Sequence, residues 1–163
     1  MMELVVPVFN LNLWYSQKLV ADLTDEQMCA QPVEGRVMNH PAFLLGHLAL
    51  VAGNFATGFV GAAPVCPEAW KELFNQGATP LADRSRYPSK AVLLKALEDA
   101  HARLADAVVK AAPEMLSQPA PEKMRARFPT IGALLAGMMT AHEASHNGQL
   151  SAWRRAMGLP PVF

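Results

Sequence analysis

The sequence predicts an all-α fold, a four-helix bundle, on three observations. Ala, Leu and Met together number 56, against 19 for Val, Ile and Thr, and Ile131 is the only isoleucine. Alanine and straight-chain residues keep their freedom in a helix, whereas β-branched ones suit strands, so an all-β fold is excluded. Apolar residues recur three and four apart through four long stretches, separated by two long proline-rich connections. Finally, 52% of the 163 residues are hydrophobic, enough for a sizeable core in one domain spanning residues 1–163 and too much for disorder.

The first helix is expected over Val8–Asp22, with Phe9, Leu13, Val20 and Leu23 inward and Trp14 beside them. Thr24-Asp25-Glu26-Gln27 reads as a capping box, a hydroxyl followed three residues later by a carboxamide, opening a short turn that ends before Pro32. The second helix is expected to start at Asn39 as N-cap, with Pro41 in its first turn, and to stop at Gly61. Phe43, Leu44, His47, Val51 and Asn54 share one of its faces. Glu68–Phe74 reads as a short helix carrying Trp70 over one end of the domain.

Ser89 caps the third helix, whose Leu93, Leu97, Leu104 and Val108 form one stripe, with Asp99/Arg103 and Asp106/Lys110 as acid-before-base pairs on the solvated side. Pro113, Pro119, Pro121 and Pro129 mark the second connection. The fourth helix opens at Thr130 and stops at Gly158, with Leu135, Met138, His142, His146, Gln149 and Trp153 on one face. Gly137, Ala141, Ser145, Gly148 and Ala152 make a neighbouring small-residue ridge, suited to tight packing inside the bundle or to a subunit interface.

Fourteen basic and fourteen acidic residues cancel. Such a chain lacks the electrostatic footprint of a nucleic-acid or anionic-lipid binder. From Val37 to Pro67 there is no Asp, Glu, Lys or Arg, a stretch long enough to cross a bilayer, which takes about 20 apolar residues. Asn39, His40, His47, Asn54 and four glycines interrupt it, so it reads as a core helix, and no membrane role is expected. Cys29 and Cys66 are too few and too far apart for a metal knuckle or a disulfide framework, and Met1-Met2-Glu3-Leu4 has no positive n-region. The expectation is free thiols and a cytoplasmic protein.

The chemistry rests on histidine. His142-Glu143-Ala144-Ser145-His146 satisfies H-E-x-x-H, whose i,i+4 spacing puts both imidazoles on one helix face where they can share a metal. His47, mid-way along the second helix and facing inward, is the best third ligand. Three buried imidazoles among apolar side chains would otherwise lack hydrogen-bond partners. His40 is two turns from His47 and too distant; His101 borders the third helix's stripe and reads as a flank residue rather than a fourth ligand. A zincin protease fits poorly: 17 residues follow His146, the metzincin third histidine would fall at Ala152, and no strands are available for a peptide substrate.

Taken together, Asn39-His40-Pro41-Ala42-Phe43-Leu44-Leu45-Gly46-His47-Leu48-Ala49, His142 through Leu150 with its H-x-x-x-H-x-G-Q core, and Arg154-Arg155-Ala156-Met157-Gly158-Leu159-Pro160 resemble the DinB-like superfamily in order and spacing across nearly the whole chain. That resemblance implies an up-down-down-up bundle and a divalent metal, zinc or nickel, on His47, His142 and His146. It also implies a homodimer. Characterised relatives include transferases that use the low-molecular-weight thiols mycothiol or bacillithiol, and isomerases. The family name comes from induction by DNA damage and carries no implication of DNA binding.

The function expected is therefore that of a metal-dependent enzyme, a thiol S-transferase or a hydrolase, in which an open coordination position activates a thiol or water toward a small substrate. The alternative is a metal-binding bundle without turnover, a sensor or interaction protein. Glu143 is the candidate general base, although it lies about 100° around the helix from His142 and is equally placed to sit behind the ligands or face solvent. Gln149, one turn past His146, is a candidate to orient that ring or to bond a buried backbone group. Asn12, Tyr15 and Asn54 are polar candidates for the pocket wall. Trp14 and Trp153 read as core residues, with Trp14 also a candidate for the pocket.

Overall fold

The computed structural model describes residues 2–162, with Met1 and Phe163 outside the described residues. Its long elements are α1 (Val6–Val20), α2 (Pro41–Val60), α4 (Lys90–Lys110) and a final rod made of α7 (Ile131–Gly137), a π-helical turn (Met138–His142) and α8 (Glu143–Ala156). Three short helices, α3 (Trp70–Phe74), α5 (Pro113–Ser117) and α6 (Glu122–Arg125), lie in the two connections. Among the described residues there is no strand, only an isolated bridge between Pro119 and Thr130 at the foot of α7. The chain is a helical bundle: α2 packs along α4, while α1 packs against α8 and α4.

The capping chemistry is mostly where the sequence puts it. Thr24 and Gln27 exchange hydrogen bonds, with Thr24 N donating to Gln27 Oε1 at 2.8 Å and Gln27 N to Thr24 Oγ1 at 3.3 Å. Ser89 Oγ and Thr130 Oγ1 accept from Val92 N and Ala133 N. Gly61 and Gly158 close α2 and α8 in the left-handed region, at φ 71° each, where an L side chain would be strained.

Two details depart from the expectation. His40, not Asn39, caps α2, its ring Nδ1 accepting from Phe43 N at 3.2 Å while Nε2–H donates to Leu81 O. Arg103 donates to Ala63 O rather than pairing with Asp99, which binds Lys95 instead. The Asp106–Lys110 pair forms as expected.

One apolar cluster gathers Leu44, Leu48, Phe74, Leu93, Leu97 and Trp153; a second gathers Phe9, Ala52, Leu104, Ile131, Leu135 and Met139. Helix α2 is long and apolar enough to cross a bilayer, yet most of it, including Pro41–Leu50, is buried inside the bundle. The small-residue ridge does not pack within the chain. Ala141, Ser145, Gly148 and Ala152 are exposed, and of its two glycines Gly137 lies against the Phe128 ring while Gly148 faces open space.

The larger correction concerns the fourth helix, which is not one α-helix. The π-helical turn inserts an extra residue, so the buried line moves from Ile131, Leu135 and Met139 above it to Glu143, Asn147, Leu150 and Arg154 below. On an uninterrupted helix the line through Leu135 would run on through His142, His146, Gln149 and Trp153. The insertion rotates the later stripe by about 100°, one residue's worth. His142 and His146 are thereby turned from the centre of the core to its margin, where both are half-buried.

Candidate metal centre

Three histidines meet between α2 and the final rod. His47 Nε2 lies 3.3 Å from His142 Nε2, and His146 Nε2 lies 3.1 Å from the same atom. The three ligand atoms are all within 4.8 Å of one another, and no other His, Cys, Asp or Glu among the described residues joins them. The rings meet edge to face or tilted, with centroids 4.5–5.4 Å apart.

Two of the tautomers are set from behind. His47 Nδ1–H donates to Phe74 O at 2.7 Å, because a carbonyl can only accept. That carbonyl is at the end of α3, whose Phe74 ring lies against α2 at Gly46: a Cβ there would be 2.3 Å from the nearest ring atom. His146 Nδ1–H donates to Gln149 Oε1 at 3.1 Å, and Asn39 Nδ2 donates to the same oxygen at 3.0 Å. Both Nε2 atoms are therefore bare lone pairs aimed at His142 Nε2. That nitrogen carries at most one proton and can satisfy one of them. Three neutral imidazoles, two of them held from behind by oxygen acceptors, suit a divalent transition metal. Burial lowers all three pKa values, that of His142 to about 4 with help from the neighbouring rings. The rings are thus neutral, as metal ligation requires.

Of the remaining predicted site residues, Gln149 reaches His146 from the exposed side and bonds no buried backbone group. Asn54 is exposed, and Trp14 is 42% exposed with Lys18 Nζ 5.9 Å from its ring centroid. Trp153 is a core residue, its indole N–H donating to Ala30 O. Glu143 turns away from the three rings. It is 2% exposed and bonds His101 Nε2 at 2.7 Å, and the His101 ring stacks on Phe9 with centroids 3.7 Å apart. Burial raises the Glu143 carboxyl well above its usual range and lowers the His101 imidazole to about 3. Burial disfavours charge on both groups, and His101 Nδ1 and Glu143 Oε2 are left without partners.

Sequence reasoning missed the π-helical turn, the Phe74 carbonyl and the Asn39–Gln149 link. It also missed the polar seam of α1 against α8. There Asn12 Nδ2 donates to Met139 O at 3.3 Å and Thr140 O at 3.2 Å. Ser16 Oγ donates to Asn147 Oδ1, and Asn147 Nδ2 donates to Asn12 O. One signal of the turn is present in the sequence: Leu150 falls about 60° off the Leu135 line on an ideal helix.

The model of the DinB superfamily matches residues 15–150, a span that runs from α1 through all three histidines. The chain belongs to the DinB superfamily. A search of curated proteins finds no match. Membership of the DinB superfamily and the converged imidazoles agree on a possible metal centre at His47, His142 and His146.

Proposed function

We propose that this DinB-superfamily protein is a divalent-metal-dependent enzyme acting on a small substrate, a thiol S-transferase or a hydrolase. The observation that carries the reading is the convergence of three imidazole Nε2 atoms with two of their tautomers fixed as acceptors. His47, His142 and His146 would hold the ion, zinc or nickel. Three protein ligands leave a coordination position open, the hallmark of catalytic rather than structural sites. When bound, such an ion lowers the pKa of a coordinated thiol or water and supplies a nucleophile near neutral pH.

The chain's own contributions are orientation and shielding. The Phe74 carbonyl and Gln149 hold two rings in the ligating tautomer. Phe43, whose ring lies nearly parallel to His47 with centroids 6.1 Å apart, covers that ring on its apolar side. The half-buried His142 and His146 leave an approach from solvent. Glu143 would have to give up His101 to act as a general base, so proton transfer falls to the nucleophile's own solvent-side contacts.

The test is elemental analysis of the purified protein and of His142→Ala. Metal near one equivalent in the wild type and none in the variant supports the reading; full metal in His142→Ala overturns the site. A screen of low-molecular-weight thiols against electrophilic substrates then decides turnover, and a metal-loaded protein inert to every thiol and to hydrolysable esters and amides would favour a sensor.

A further inference from the structure

We infer that Asn12 is a positioning residue for the metal centre, acting through the π-helical turn. The inference rests on the metal reading above and goes beyond it, since Asn12 touches none of the three histidines. Its amide donates to the carbonyls of Met139 and Thr140, both inside the turn, and its own backbone carbonyl accepts from Asn147, about two turns further along. The Asn12 side chain is buried, and its bond to Met139 O is buried with it.

A π-helical turn is less favourable than α-helix and persists only where its surroundings hold it. Thr140 Oγ1, back-bonding to Ala136 O at 2.7 Å, braces it from within its own helix; Asn12 braces it from a neighbouring one. The turn carries the functional geometry. With it, Glu143 and Asn147 face the core and His142 and His146 sit at the margin, able to meet His47 and still reach solvent. Were the turn to relax toward α-helix, the rod would have to rotate on one side of it by about 100°, and the two rings would leave His47. Asn12 thus sets the direction of ligands it never contacts.

The test uses full-length protein, wild type, Asn12→Ala, Thr140→Ala and Ser16→Ala, the last removing a hydrogen bond from the same α1–α8 seam without touching the turn. Two quantities are read: amide hydrogen exchange over residues 138–142 in metal-free protein, and zinc affinity by competition with a chromophoric chelator. Asn12→Ala is expected to speed exchange across 138–142 and to weaken zinc roughly 10- to 100-fold, as much as losing a direct partner of a metal ligand, because the directions of both His142 and His146 depend on the turn. Thr140→Ala should do the same more weakly, and Ser16→Ala should do neither. Wild-type zinc affinity in Asn12→Ala, or in Thr140→Ala if Asn12→Ala does not fold, overturns the inference. So does an equal loss of affinity in Ser16→Ala, which would mark a general loosening of the seam. If the wild type binds no zinc, the metal reading falls on its own, and unchanged exchange in Asn12→Ala would show separately that the turn is not held by this residue.

Discussion

His142 and Glu143 are neighbours in sequence and opposites in environment. His142 lies in a cluster of three half-buried or buried rings whose facing nitrogens are short of protons and whose need can be met only from outside. Glu143 lies in a buried pair with His101 whose facing atoms are matched, donor to acceptor, while His101 Nδ1 and Glu143 Oε2 have no partner. Both are ionisable groups lowered or raised by burial, yet the facing atoms of one arrangement are incomplete and those of the other are closed. The difference shows that buried polarity indicates a binding site when the groups are all acceptors, and indicates packing when donor and acceptor are matched.

The largest effect should come from the incomplete side. His142→Ala is expected to abolish stoichiometric metal while leaving metal-free thermal stability close to wild type, because the half-buried His142 ring bonds only to the other two histidines. Elemental analysis with metal-free melting curves checks both halves. On the closed side the pattern inverts. Glu143→Ala leaves His101 Nε2 buried and unbonded, and should cost about 1–3 kcal/mol of stability with metal still bound. The double replacement His101→Leu, Glu143→Leu should recover most of that loss, since an apolar pair of similar volume removes the unpartnered atoms as well. Denaturant unfolding reads this; a double variant no better than the single one would mean the pair does more than fill space.

Gly46→Ala sharpens the comparison by striking both sides at once. The added methyl collides with the Phe74 ring, an overpacking that costs about 1–3 kcal/mol. It also displaces the carbonyl that fixes His47, so metal affinity should fall together with stability.

The smallest effect is a pH dependence away from either cluster. The Arg154 guanidinium bonded to Asp22 holds that carboxyl below its ordinary value, and the Lys90 backbone N–H, with Arg84, does so for Asp25. A lowered folded-state pKa means their contribution is complete above about pH 4, the unfolded value, and disappears as pH falls through the folded one. Asp22→Asn should lower stability slightly at pH 7 and flatten its decline below pH 4. Both carboxylates are partly solvated, so the change should be small. Melting temperatures across pH 2–7 measure it.

Much of this was legible from sequence because it is local. Helical spacing, the Thr24–Gln27 box, the Ser89 and Thr130 caps and the H-x-x-x-H pair each depend on residues within one turn of one another. The clustering of three histidines followed from that pair and from His47 on the second helix. What could not be read depends on contacts between distant segments. The π-helical turn is held by Asn12 from α1, Glu143 is buried only because the turn rotates it toward His101, and the His47 tautomer is set by a carbonyl 27 residues away. Periodicity assumes an unbroken helix, so it placed His142 and His146 on the core line and Glu143 off it, a reversal of one residue that decides which group faces solvent.

The position of His47 has a further thermodynamic consequence. Helices α2 and α8 share little direct packing, and a link between His47 and His142 closes a loop of 95 residues. An ion bridging them would act as a staple, with the entropic benefit of cross-linking two points far apart in an unfolded chain. Ligation confined to the native state also adds stability by mass action, about 2.7 kcal/mol at a hundredfold excess over Kd. The melting temperature should therefore rise with free metal and fall on adding chelator, making a thermal scan a direct gauge of site occupancy.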